Sequence, residues 1–125
     1  NNTNIYVGSL DEHFNRKGQG EYHIFSDNIT ITGDFEIDNI TNAKVTNKDG
    51  FVVFEGKFTD NMMSEGTYHF SEKEKFEGTF ENGKKKKGKY FYVNGTTYEG
   101  EWSEDRKVGK GIYTNENGES KEINY

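Results

Sequence analysis

Apolar and polar side chains alternate in short stretches along this chain, and the stretches return about every 22 or 23 residues. In Tyr98-Glu99-Gly100-Glu101-Trp102 the phenol, the glycine and the indole fall on one side of an extended strand, and Glu99 and Glu101 on the other. The same five-residue pattern occurs at Tyr6-Val7-Gly8-Ser9-Leu10, Ile31-Thr32-Gly33-Asp34-Phe35, Phe54-Glu55-Gly56-Lys57-Phe58 and Phe76-Glu77-Gly78-Thr79-Phe80. Each copy leads through a polar connection into a second short run: Gly20-Glu21-Tyr22, Ala43-Lys44-Val45, Gly66-Thr67-Tyr68, Gly88-Lys89-Tyr90 and Gly111-Ile112-Tyr113. Alternation of this kind predicts a β-hairpin per copy, with one aromatic face and one charged face.

All 15 glycines fall at recurring places in the pattern. A glycine between two rings leaves a hollow on the ring-bearing face, and a ring of the neighbouring strand is expected to lie flat in it. The turns divide into two kinds. Lys48-Asp49-Gly50, Val93-Asn94-Gly95 and Glu116-Asn117-Gly118 carry the pairs that favour tight turns. Asn61, Asn82-Gly83 and Asp105, at the other end of the hairpins, suit a looser one. Ser71 to Lys75 replaces the tight pair in the third copy, and a longer or more mobile turn is expected there.

These elements predict an all-β fold: an elongated, single-layer antiparallel β-meander of consecutive hairpins, ten strands in five units. Residues 1–125 form one domain, with units at about 5–28, 29–51, 52–73, 74–96 and 97–119; 120–125 open an incomplete sixth. The strand edge left there offers a route to homodimerisation, or to continuation in a longer protein. The chain starts at Asn1 without a Met, as expected of a processed or trimmed chain.

Composition narrows the picture further. Apolar residues make up only 30% of the 125 and aromatic ones 15%, so half the apolar inventory is rings. That supports rings lining one sheet rather than a thick two-layer core. A net charge of −6 argues against a general nucleic-acid binder. There is no cysteine, hence no disulfide framework and no thiolate metal site. No stretch approaches the length of a membrane span.

The pattern resembles the MORN repeat (membrane occupation and recognition nexus): tyrosine, x, glycine, x, tryptophan, then spaced glycines and an aromatic. Tyr98, Gly100, Trp102, Gly109, Gly111, Tyr113 and Gly118 match it position for position. Phe76, Gly78, Phe80, Gly83, Gly88 and Tyr90 match with phenylalanine substituted and a loop one residue shorter. The copy at Ile31 departs most. The resemblance implies a scaffold that binds a helical or extended partner segment in its aromatic groove, at cytoskeletal or membrane-edge structures of the cytoplasm.

Expected partner-binding residues are Tyr98, Trp102, Tyr113, Phe76, Tyr90, Phe54 and Tyr68, because uncovered rings on a single sheet mark interaction surfaces. Lys84, Lys85, Lys86 and Lys87 are candidates for anionic phospholipid contact, the basis of an alternative reading as a peripheral membrane module. A second alternative is an acidic microbial or phage protein that blocks a host enzyme. His13, His23 and His69 have no metal-ligand spacing, and Ser9, Ser26, Ser64, Ser71, Ser103 and Ser120 no nucleophile signature. The reading is therefore non-catalytic, with no cofactor and no metal.

Overall fold

A computed structural model describes residues 4–25 and 27–125; Ser26 lies outside the described residues. Eleven strands are found among them, and no helix. They are β1 (Asn4–Leu10), β2 (Arg16–Ile24), β3 (Ile29–Glu36), β4 (Asn39–Asn47), β5 (Val52–Thr59), β6 (Met62–His69), β7 (Lys75–Glu81), β8 (Lys84–Phe91), β9 (Thr97–Ser103), β10 (Arg106–Thr114) and β11 (Ser120–Asn124). The architecture is the expected antiparallel meander of consecutive hairpins. One strand more than expected is present, because the opening of the sixth unit already pairs with β10.

Two compact units divide the chain, one ending at Met62 and the other beginning at Met63. In the first, β1 to β5 pair in chain order, with Gly8 opposite Gly20, Gly20 opposite Gly33, Gly33 opposite Ala43 and Ala43 opposite Gly56. In the second, β6 to β11 do the same, with Gly66 opposite Gly78, Gly78 opposite Gly88 and Gly88 opposite Gly100. A row of residues with little or no side chain therefore crosses each unit at right angles to its strands. The rings lie over that row.

At Gly8 and Gly100, between two apolar residues of one strand, the cover differs from the expectation and comes from the same strand, two residues earlier. The same ring reaches the glycine of the return strand, which is covered by its neighbour as expected. A Cβ on Gly111 would lie 2.0 Å from Tyr98 Oη, and one on Gly100 3.0 Å from the same ring. Tyr6 lies in the same way over Gly8 and Gly20. The tyrosine-x-glycine spacing is thus one ring folding back along its own strand.

The two ends of the hairpins are interchanged relative to the sequence reading. The two-residue turns are Ile37-Asp38, Asp60-Asn61, Asn82-Gly83 and Glu104-Asp105, where both residues have positive φ, from 47° to 80°. The ends carrying Asp-Gly and Asn-Gly are the wider ones. There the N–H of Asn47, Tyr92 or Asn115 donates to the carbonyl four residues on, at 2.9 Å each, and the glycine supplies a single left-handed residue. The turn at Ser71 to Lys75 is not longer, since Phe70 N–H closes onto the Glu74 carbonyl at the same 2.9 Å. Ser71 Oγ replaces the missing pair by accepting from the N–H groups of Lys73 and Glu74.

Candidate functional site

Depth on the aromatic face is set by how many neighbouring rings surround each ring. In residues 63–125 the inner row is Phe76, Phe80, Tyr98 and Trp102, all buried. Its members meet edge to face: Phe76 with Phe80 at 5.4 Å, Phe76 with Trp102 at 5.0 Å, and Tyr98 with Trp102 at 5.5 Å between centroids. Phe76 and Tyr98 are 0% exposed. An outer row of Tyr68, Phe70, Tyr90 and Tyr92 runs alongside, with successive centroids 5.0, 5.5 and 4.7 Å apart. These rings are half-buried or, at Phe70, exposed.

Of the seven rings expected to meet a partner, the structure therefore buries Phe76, Tyr98 and Trp102, leaving only part of Trp102 at a groove wall. Phe54 is buried as well, in the first unit, edge to face with Phe58 at 5.4 Å. Tyr68 and Tyr90 stand in the outer row. Tyr113 is half-buried on β10, between Tyr98 and Lys121.

The rings left open surround a groove of about 550 Å³, walled by Tyr90, Tyr92, Trp102 and Tyr125. Lys85, Asp105, Arg106 and Lys107 complete its lining. Tyr125 is placed by its N–H, which donates to the Gly109 carbonyl at 2.8 Å, and its ring stands edge-on to Tyr98 at 5.8 Å. The ammonium of Lys107 lies 4.6 Å from the Tyr98 centroid, 5.2 Å from Tyr92 and 5.7 Å from Tyr125, within cation–π range of all three. Burial pulls the Lys107 pKa down, but its hydrogen bond to Tyr92 and the surrounding phenols leave it raised, so the cation persists at neutral pH. Burial first, then donation to the Glu74 carboxylate, pushes the Tyr90 phenol far up. Burial also raises the Tyr98 phenol, whose Oη has no hydrogen-bond partner.

Lys107, Tyr92 and Tyr125 are not marked by the alternation pattern, and Lys85, expected at a lipid surface, lines this groove. A signal for the lysines existed. Lys107 is four residues before Gly111 and Lys85 three before Gly88, and register sets them opposite Trp102 and Phe80. Arg16, four before Gly20, does the same in the first unit. Its guanidinium lies 4.9 Å from the Tyr22 ring centroid and 5.4 Å from that of Phe35. A cation opposite the second apolar residue recurs at three places: Arg16 opposite Leu10, Lys85 opposite Phe80 and Lys107 opposite Trp102. A one-residue register shift between Thr79 and Phe80 turns Lys85 onto the aromatic face, whereas the two-residue shift between Val108 and Ile112 keeps Lys107 on the face of Gly111 and Tyr113.

The lysine run is strand, not loop. Three of its members are paired: Lys84 with Glu104, Lys85 with Asp105 at 3.3 Å, and Lys86 with Glu81 at 2.8 Å. Lys85 lines the aromatic groove, whereas Lys87, opposite Thr79, points to the other face. The four cations do not form one patch.

Comparison with known families accords with the geometry. The sequence model of the MORN repeat matches residues 76–97 and 98–120, each segment starting at the ring that folds over its glycine. No curated protein matches the chain.

Proposed function

We propose that this chain, which carries MORN repeats at residues 76–120, is a non-catalytic protein-interaction scaffold holding a partner segment in the aromatic groove of its second unit. The observation that carries the reading is the division of labour between the two ring rows. The inner row is sealed and fixes the shape, while Tyr90, Tyr92 and Tyr125 remain open around a groove wide enough for an extended chain or one helix face. Rings immobilised by their neighbours lose little entropy on docking, which favours affinity. Lys85, Arg106 and Lys107 at the rim favour a segment with acidic side chains. Placement at cytoskeletal or membrane-edge structures rests on the family resemblance.

The test is a Tyr92→Ala, Tyr125→Ala double variant. Its partner, captured with the wild-type chain and measured by calorimetry, should bind at least tenfold more weakly, with the far-ultraviolet circular dichroism spectrum unchanged. Equal affinity of the folded double variant would remove the groove as the site.

A further inference from the structure

The first unit carries a second surface that the aromatic face does not absorb. At its β1–β2 end three large apolar side chains project into solvent: Phe14 is 81% exposed, Ile37 65% and Leu10 51%. Phe14 and Ile37 both have left-handed backbone, φ 65° and 47°. That conformation is costly for a bulky residue and worse for a β-branched one, whereas asparagine or aspartate tolerates it. The positions equivalent to Ile37 in the other two-residue turns hold Asp60, Asn82 and Glu104, all polar. An exposed side chain that opposes its own backbone adds nothing to folding, so contact with another molecule is the reason for it that remains.

The tip is rigid rather than loose. Asp11 Oδ1 accepts from the N–H groups of His13 and Asn15 at 2.8 and 2.9 Å, which fixes the loop bearing Phe14. Arg16 ties that loop to the turn bearing Ile37. Its N–H and Nε donate to Asp38 Oδ1 at 2.6 and 3.1 Å, and its Nη2 to the Asp38 carbonyl at 2.9 Å. Between Leu10 and Ile37 lies a concavity of about 520 Å³ whose charged lining is Asp11, Glu12 and Glu36 against Lys17. Surface charge and apolar content together define the complement.

We propose that this tip is a docking surface for a partner protein that offers an apolar recess rimmed by lysine or arginine. The excess of carboxylates selects a basic partner and opposes an anionic membrane. The site shares no residue with the groove of the second unit, so the two readings stand or fall separately.

The test uses a synthetic amphipathic peptide of alternating leucine and lysine, its leucine–glutamate counterpart, and phosphatidylserine vesicles, with amide chemical shifts as the readout. The leucine–lysine peptide should shift residues 10–17 and 36–38. A Phe14→Asn, Ile37→Asn variant, whose new side chains suit left-handed backbone, should stay folded and bind at least tenfold more weakly. The leucine–glutamate peptide and the vesicles should leave those amides unmoved. Equal binding by the double variant, shifts confined to other residues, or engagement of the tip by vesicles or the acidic peptide each overturn the proposal.

Discussion

Lys107 and Tyr98 are joined face to charge: the ammonium stands 4.6 Å from the ring centroid, over a phenol that its neighbours seal completely from water. The pair stacks three layers over the sheet, with Gly111 backbone beneath the ring and the lysine above it. The ring is what this arrangement uses; the hydroxyl is not. Tyr98 Oη is buried with no partner, whereas the equivalent Tyr6 Oη donates to the Ser9 carbonyl at 2.8 Å.

Tyr98→Phe should therefore leave stability unchanged or raise it by up to about 1 kcal/mol, because it removes a desolvated polar atom and keeps the stack. Thermal unfolding followed by circular dichroism measures this. A fall of more than about 1 kcal/mol would mean that the hydroxyl makes a bond in solution.

Gly111→Ala tests the layer below. The new methyl would sit 2.0 Å from Tyr98 Oη and 2.2 Å from Cζ, well inside contact distance, and the ring is held by Trp102 and Tyr125. A loss of about 1–3 kcal/mol is expected in urea denaturation, as for an overpacked core. Adding Tyr98→Phe should not restore it, since the ring carbon still clashes. Full recovery in the double variant would place the strain at the hydroxyl alone.

What alternation reveals is the face a residue occupies, and it placed the rings and glycines of Tyr98-Glu99-Gly100-Glu101-Trp102 on one side as found. Depth on that face is another matter. Tyr98 and Tyr90 share a face and differ in burial because Tyr125 and Trp102 close over one of them. That depends on a residue 27 positions away (125 − 98) and leaves no local trace. Turn type is hidden from local composition for a related reason. Asn117-Gly118 has the composition of a two-residue turn, but the pairing of Thr114 with Ser120 forces a wider loop. Glu104-Asp105 has no glycine, yet the pairing of Ser103 with Arg106 leaves room for nothing but two left-handed residues. Register overrides composition at both ends.

The wider loops make their own prediction. Asn115 Oδ1 accepts from the N–H groups of Asn117 and Glu119 at 2.9 and 3.0 Å, and Asn47 Oδ1 does the same for Asp49 and Phe51. Asn115→Ala leaves both donors to water and should cost about 1 kcal/mol. Asn115→Asp keeps the acceptor and should cost less. Denaturant midpoints of the two variants check the order, and a reversed order would show that the side-chain oxygen is not what closes the loop.

Acid should weaken the first unit through Asp38. The Arg16 N–H and guanidinium bind its carboxylate and hold its pKa below the ordinary 3.8, and the N–H groups of Asn15 and His13 lower Asp11 as well. A depressed folded-state pKa means that the stabilisation is complete above the unfolded value. It is lost as pH falls below 3.8 and through the folded value, because only the unfolded chain takes up the proton readily there. Asp38→Asn removes that proton uptake and the ion pair together. The variant should be less stable than the wild-type chain at pH 7, and the difference should shrink as the pH is lowered from 5 to 2. Stability curves by urea titration at each pH decide it: a gap that stays constant to the acid end would show that Arg16 does not act on the ionised form of Asp38.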